Sequence, residues 1–142
     1  MVLKRARRWT LAALTLWGTA QAGDVTAPGA GFSLPSGRLQ CEYSGAGGVP
    51  SIRCDVLGAT FKAARPADCP LAWGDSVGLK ATGPAFLVCH GDTVLDPRRP
   101  VLAYGRVWRR AGLTCRSGTA GVRCLNLDGH GFELARAGYR LF

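Results

Sequence analysis

Apolar and polar residues alternate with a period of two in several short runs of this chain. Leu39, Cys41 and Tyr43 alternate with Arg38, Gln40 and Glu42, and Ile52, Cys54 and Val56 alternate with Arg53 and Asp55. Successive side chains of a strand point to opposite faces, so each run predicts a half-buried strand. Each cysteine is in phase with the apolar residues and therefore faces inward. Cysteines opposed on adjacent antiparallel strands lie within disulfide reach. The pattern returns at Leu113-Thr114-Cys115 and Val122-Arg123-Cys124, separated by a turn over Ser117–Gly121. This predicts a second stapled hairpin, with Phe132-Glu133-Leu134 as a further strand beside it. The likeness of the two hairpins reads as convergence on one local solution.

Other segments are less regular. Val77–Ala81 predicts a short strand, and the near-continuous apolar run Ala85–Cys89 predicts a central one. Val101–Arg110 reads as a strand with Tyr104, Arg106, Trp108 and Arg110 on one face. Phe61–Arg65 can form one helical turn, ended by Pro66. Ala135–Tyr139 reads as a turn or short helical loop before Leu141-Phe142 closes the domain. Gly91 and Gly131 are expected to supply positive φ. With twenty Gly and eight Pro between short strands, the fold class is all-β: a small, disulfide-stapled antiparallel sandwich or barrel in a single domain.

The N-terminus changes the picture of charge and compartment. Lys4, Arg5, Arg7 and Arg8 precede a short apolar run from Trp9 to Ala20, and Ala20-Gln21-Ala22 fits a cleavage site. This is the pattern of a secretory signal peptide, and the run is shorter than the ~20 apolar residues of a membrane span. The expected organisation is a signal peptide over 1–22, a flexible lead-in over 23–31 and the exported domain over 32–142, secreted or periplasmic. Cleavage after Ala22 lowers the formal charge from the whole-chain +9 to +5. All six Cys follow the cleavage point, which implies three disulfides in an exported small domain. Fifteen pairings are possible. Spacing favours the sequential one: Cys41–Cys54, Cys69–Cys89 and Cys115–Cys124. Each is worth about 3 kcal/mol in the closed-loop view.

The order Phe32-x-x-Pro-Ser-Gly, paired Cys hairpins, Cys89-x-Gly-Asp-Thr, Leu102-x-Tyr104-Gly and Gly129-x-Gly-Phe-x-Leu-x-Arg136 resembles a bacterial family of small exported Cys-rich domains of unknown function. The resemblance spans Phe32 to Phe142. It implies an exported β domain and brings no activity with it.

Candidate chemistry is sparse. His90 and His130, with Asp92, Asp128 or Glu133, form a metal or acid–base site only if the fold brings them together. A catalytic zinc site needs three protein ligands, and the sequence shows no His-x-x-x-His pair. No cofactor or metal is expected. Bridged Cys leave no free thiol, and no Gly-x-Ser-x-Gly elbow surrounds Ser36, Ser76 or Ser117. From Pro97 to Leu127 the chain has seven Arg and no Asp or Glu. Arginine forks pair with phosphate, sulfate and carboxylate. Arg106, Arg109 and Arg110, with Trp108 to stack, are the expected anion-binding residues. The function expected is a non-catalytic exported binding domain for an anionic cell-surface polymer or lipid head groups, without specific nucleic-acid recognition. The alternatives are a small secreted hydrolase or metal site using His90 and His130, and an inhibitor-like module presenting the loop Ser44–Ser51. Oligomeric state is left open.

Overall fold

The computed structural model of the chain describes residues 31–142. The expected signal peptide, its cleavage point and residues 23–30 of the lead-in lie outside the described residues. Among the described residues ten strands form two antiparallel sheets of five. The first contains β1 (Gly31–Ser33), β2 (Leu39–Ser44), β3 (Ser51–Val56), β4 (Ser76–Lys80) and β5 (Phe86–Leu87). The second contains β6 (Val107–Arg110), β7 (Leu113–Ser117), β8 (Val122–Leu125), β9 (Gly131–Ala135) and β10 (Gly138–Leu141). Each sheet is a meander in chain order, so nearly all pairing is between sequence neighbours.

The two sheets repeat one plan. In the first, Phe32, Cys41, Cys54, Val77 and Leu87 stand opposite one another in succession across the strands. In the second, the corresponding row is Trp108, Cys115, Cys124, Phe132 and Leu141. A disulfide joins the second and third strands of each sheet, Cys41–Cys54 with Cα atoms 4.0 Å apart and Cys115–Cys124 at 4.1 Å. The two rows meet in the core. Trp108 is fully buried, with ring centroids 5.7 Å from Phe32 and 5.9 Å from Tyr43. The likeness seen in the sequence thus extends to strand order and staple position. The third disulfide, Cys69–Cys89, ties the connection before β4 to the residues after β5.

Several local expectations are corrected. Val101–Arg110 is not one strand: Val101 makes an isolated bridge to Ser33, Arg106 N–H donates to the Ala103 carbonyl in a turn, Gly105 has φ +81°, and only Val107–Arg110 forms a strand, β6. Ala85–Cys89 yields a two-residue edge strand, β5, not a central one. Its apolar run arises because Phe86 packs on Gly78 while Leu87 packs on the core. For Ala135–Tyr139 the turn and not the helical loop is found: Arg136 and Ala137 turn a tight hairpin in which Gly138 pairs with Ala135, and β10 continues to Leu141. Phe61–Arg65 has no helical turn. Gly91 and Gly131 do not have positive φ. Gly131 is needed for space instead, since a Cβ there would lie 2.1 Å from the Cys124 carbonyl oxygen. Gly31 begins β1 rather than ending the lead-in.

Candidate functional site

Residues out of phase with the cysteines face away from the core, so strand pairing sets which of them meet. Cys115 opposes Cys124, which puts Arg116 opposite Arg123. Arg123 in turn opposes Glu133, and Glu133 opposes Arg140. One row across β7–β10 therefore reads Arg116, Arg123, Glu133, Arg140. On β6, Arg109 is opposite Thr114 and shares this outer face. These strands present four arginines and one carboxylate outward.

Like charges directly opposite on adjacent strands are unfavourable, and Glu133 offsets part of that. Arg123 donates to its Oε1 at 2.7 Å. Arg140 donates to Oε1 at 2.9 Å and to Oε2 at 3.2 Å. The hydrogen bond from Arg140 is the main cause holding the Glu133 carboxyl below its usual range, with Arg123 adding to it. Both guanidinium groups lie over the Phe142 ring, at 4.6 and 5.1 Å from its centroid. A groove of about 470 Å³ runs along this row, lined by the small residues Gly118, Gly121 and Gly138 and by the long side chains of the row.

The outer face of the first sheet is also polar, but the chain covers it. The connection from Val88 to Arg106 crosses it as a strap. Asp55 on β3 is buried and accepts hydrogen bonds from the Arg53 guanidinium at 2.9 and 3.0 Å, Ser76 Oγ at 2.6 Å, Thr93 Oγ1 at 3.2 Å and Val94 N at 3.0 Å. Burial alone would raise its pKa. The bonds from Ser76, Arg53 and Val94, together with the Arg53 charge, hold it below the ordinary carboxylate value. Arg53 also reaches Asp92, Asp96 N donates to Gln40, and Arg99 pairs with Glu42.

At the head of the strap, His90 Nε2 lies 2.7 Å from Asp75 Oδ1 and Nδ1 lies 2.6 Å from the Asp92 carbonyl oxygen. Burial would lower the imidazole pKa. The Asp75 and Asp92 bonds and the charges of Asp75 and Asp55 outweigh it and hold the pKa above its ordinary value. A cleft of about 470 Å³ opens beside this contact among Phe61, Trp73, Asp75, His90, Thr93 and Leu95.

The two histidines do not converge. His90 pairs with Ala72 and Asp75, just before β4. His130 closes the turn held by Asn126, whose side chain donates to the carbonyls of Lys80 at the other end of β4 and of Gly83 just beyond it. Five residues of strand, about 16 Å of rise, lie between, so the expected His90/His130 site is not assembled. Among the described residues no group of three His, Cys, Asp or Glu is arranged to hold a metal ion.

The four expected anion-binding residues are dispersed. Trp108 lies in the core and cannot stack on a ligand. Arg110 packs over the Tyr43 ring, 4.1 Å from its centroid, at the edge between the sheets. Arg106 is half-buried in the turn before β6, and only Arg109 lies on the open basic face. The row Arg116, Arg123, Glu133, Arg140 was within reach of the sequence. Pairing Cys115 with Cys124 fixes Arg116 opposite Arg123, a consequence that a count of basic residues does not show. The loop Ser44–Ser51 contains a 3-10 turn at Ala46–Gly48 and exposes one large apolar side chain, Val49. That is too little for an apolar docking patch.

No curated protein and no solved structure matches the chain. The match that exists covers residues 10–142, nearly the whole sequence and both stapled sheets. By that match the chain belongs to a family of unknown function, DUF6636.

Proposed function

We propose that this domain is an exported, non-catalytic binding module that holds phosphate, sulfate or carboxylate groups of an anionic polymer or lipid surface on the outer face of its second sheet. The observation that carries this is the row Arg116, Arg123, Glu133, Arg140 beside an open groove, in which Arg123 and Arg140 share the Glu133 carboxylate while Arg116, opposite Arg123, donates instead to the Gly105 carbonyl. Guanidinium forks pair bidentately with such anions. The Phe142 ring under two of them restrains their side chains, which lowers the ordering cost of binding. Export is supported by the N-terminal charge and apolar pattern and by six cysteines all engaged in disulfides. A non-catalytic role is supported by the separation of His90 from His130 and by the lack of a free thiol among the described residues.

The test is retention of the oxidised protein on immobilised polyphosphate, on a polycarboxylate and on anionic lipid vesicles at low and high salt. Arg116→Ala/Arg123→Ala/Arg140→Ala should lose retention. A control with equal charge loss elsewhere, Arg38→Ala/Lys62→Ala/Lys80→Ala, should keep most of it. Equal loss in both variants would mean net charge alone attracts the protein and would refute a defined face.

A further inference from the structure

We propose that His90 is a proton-operated clasp, holding the head of the strap against the segment before β4 when protonated and releasing it when neutral. Both ring nitrogens of His90 face acceptor oxygens. Nδ1 faces the Asp92 carbonyl oxygen at 2.6 Å, and a carbonyl oxygen only accepts. Nε2 faces Asp75 Oδ1 at 2.7 Å, and an ionised carboxylate only accepts. A neutral imidazole has one N–H and satisfies one of these acceptors. The imidazolium has two and satisfies both. Loss of the proton sets one ring nitrogen's lone pair against an acceptor oxygen, that of Asp75 or the Asp92 carbonyl according to the tautomer.

The surroundings reinforce this. Asp75 approaches from the segment before β4, Asp92 from the strap and Asp55 from β3, while Arg53 on β3 is bound by Asp55 and Asp92. Three carboxylates and one guanidinium thus surround a ring that is 8% exposed. The uncompensated charge is negative and favours the cation. The elevated imidazole pKa agrees with this geometry.

The same contact holds backbone. His90 and Ala72 exchange two main-chain hydrogen bonds, at 2.9 and 3.1 Å, in an isolated bridge rather than a sheet. Asp75, His90 and Thr93 all line the cleft beside it. Releasing the ring frees the Asp75 carboxylate toward that cleft and leaves the bridge without side-chain support. Adjacent Cys89 stays bonded to Cys69, so the excursion is short and reversible. By linkage, the clasp's contribution is full below the ordinary imidazole value of about 6.5 and is lost as pH rises through the raised pKa of the closed state.

The experiment is an NMR titration of the oxidised protein, with amide exchange measured across the same pH range. The His90 ring should titrate above about 6.5. The protection factors of the Ala72 and His90 amides should fall tenfold for each pKa unit separating closed from open states. In Asp75→Asn the titration should move down and the protection should no longer depend on pH. A His90 titration at or below the ordinary value, or protection constant through that titration, would overturn the clasp. The wild-type measurements decide this even if Asp75→Asn fails to fold.

Discussion

The two sheets share strand order and staple position but treat their outer faces in opposite ways. Beside the Cys41–Cys54 bridge, Glu42 stands opposite Arg53. At the corresponding positions beside Cys115–Cys124, Arg116 stands opposite Arg123. The first pair joins a closed network in which the strap supplies Asp92, Thr93, Val94 and Arg99 as partners. The second is left open with a single carboxylate, Glu133, among its partners on the strands. One scaffold therefore gives a face satisfied by its own chain and a face with surplus positive charge. Opposite charges that find internal partners serve stability; like charges held side by side without full compensation imply an external one.

The sharpest way to break this contrast is at Asp55. Asp55→Ala would leave Arg53, Ser76 and the Val94 amide without their shared acceptor, at a cost of about 3 kcal/mol or more in urea unfolding, because removing one partner of a buried pair strands the other. Because its pKa is lowered in the folded state, Asp55 contributes stability above the ordinary carboxylate range that is lost as pH falls through the folded value. Asp55→Asn should flatten the acid limb of the stability profile, and an unchanged limb would remove Asp55 from the account. A second contrast lies within the second sheet. Gly131→Ala forces a Cβ against the Cys124 carbonyl and should cost about 1–3 kcal/mol as an overpacked site does. Gly138→Ala meets nothing within 4 Å and should stay within about 0.5 kcal/mol in the same melts.

Smaller effects concern binding. Each of Arg116→Ala and Arg123→Ala should lower the salt slope of polyphosphate retention by about one contact while leaving the melting temperature nearly unchanged. Glu133→Gln keeps the shape of the row and removes its carboxylate charge, so retention on polyphosphate should rise. A fall would show that Glu133 orders the arginines rather than competing with the ligand.

How much of this was legible follows from which forces are local. Alternation around Cys41, Cys54, Cys115 and Cys124 announces both hairpins, since a strand's period and the inward phase of cysteine are local properties. The sequential disulfides follow because each of these hairpins closes its own loop. Trp108 misled because alternation with arginines says which residues share a face and not which face is buried; contact with Phe32 and Tyr43 from the other sheet decides that. The Asp55 network was hidden for a similar reason, since Thr93 and Val94 come from 38 and 39 residues away. His90 and His130 could not be placed until β4 was known to lie between them.

The most direct measurement is NMR shift mapping of the oxidised domain with polyphosphate as the probe. The account predicts perturbations centred on Arg116, Arg123, Glu133 and Arg140, extending to Arg109, fading with added salt and sparing the strapped face around Arg53 and Arg99. Perturbations spread evenly over all exposed arginines, or centred on the strapped face, would contradict it.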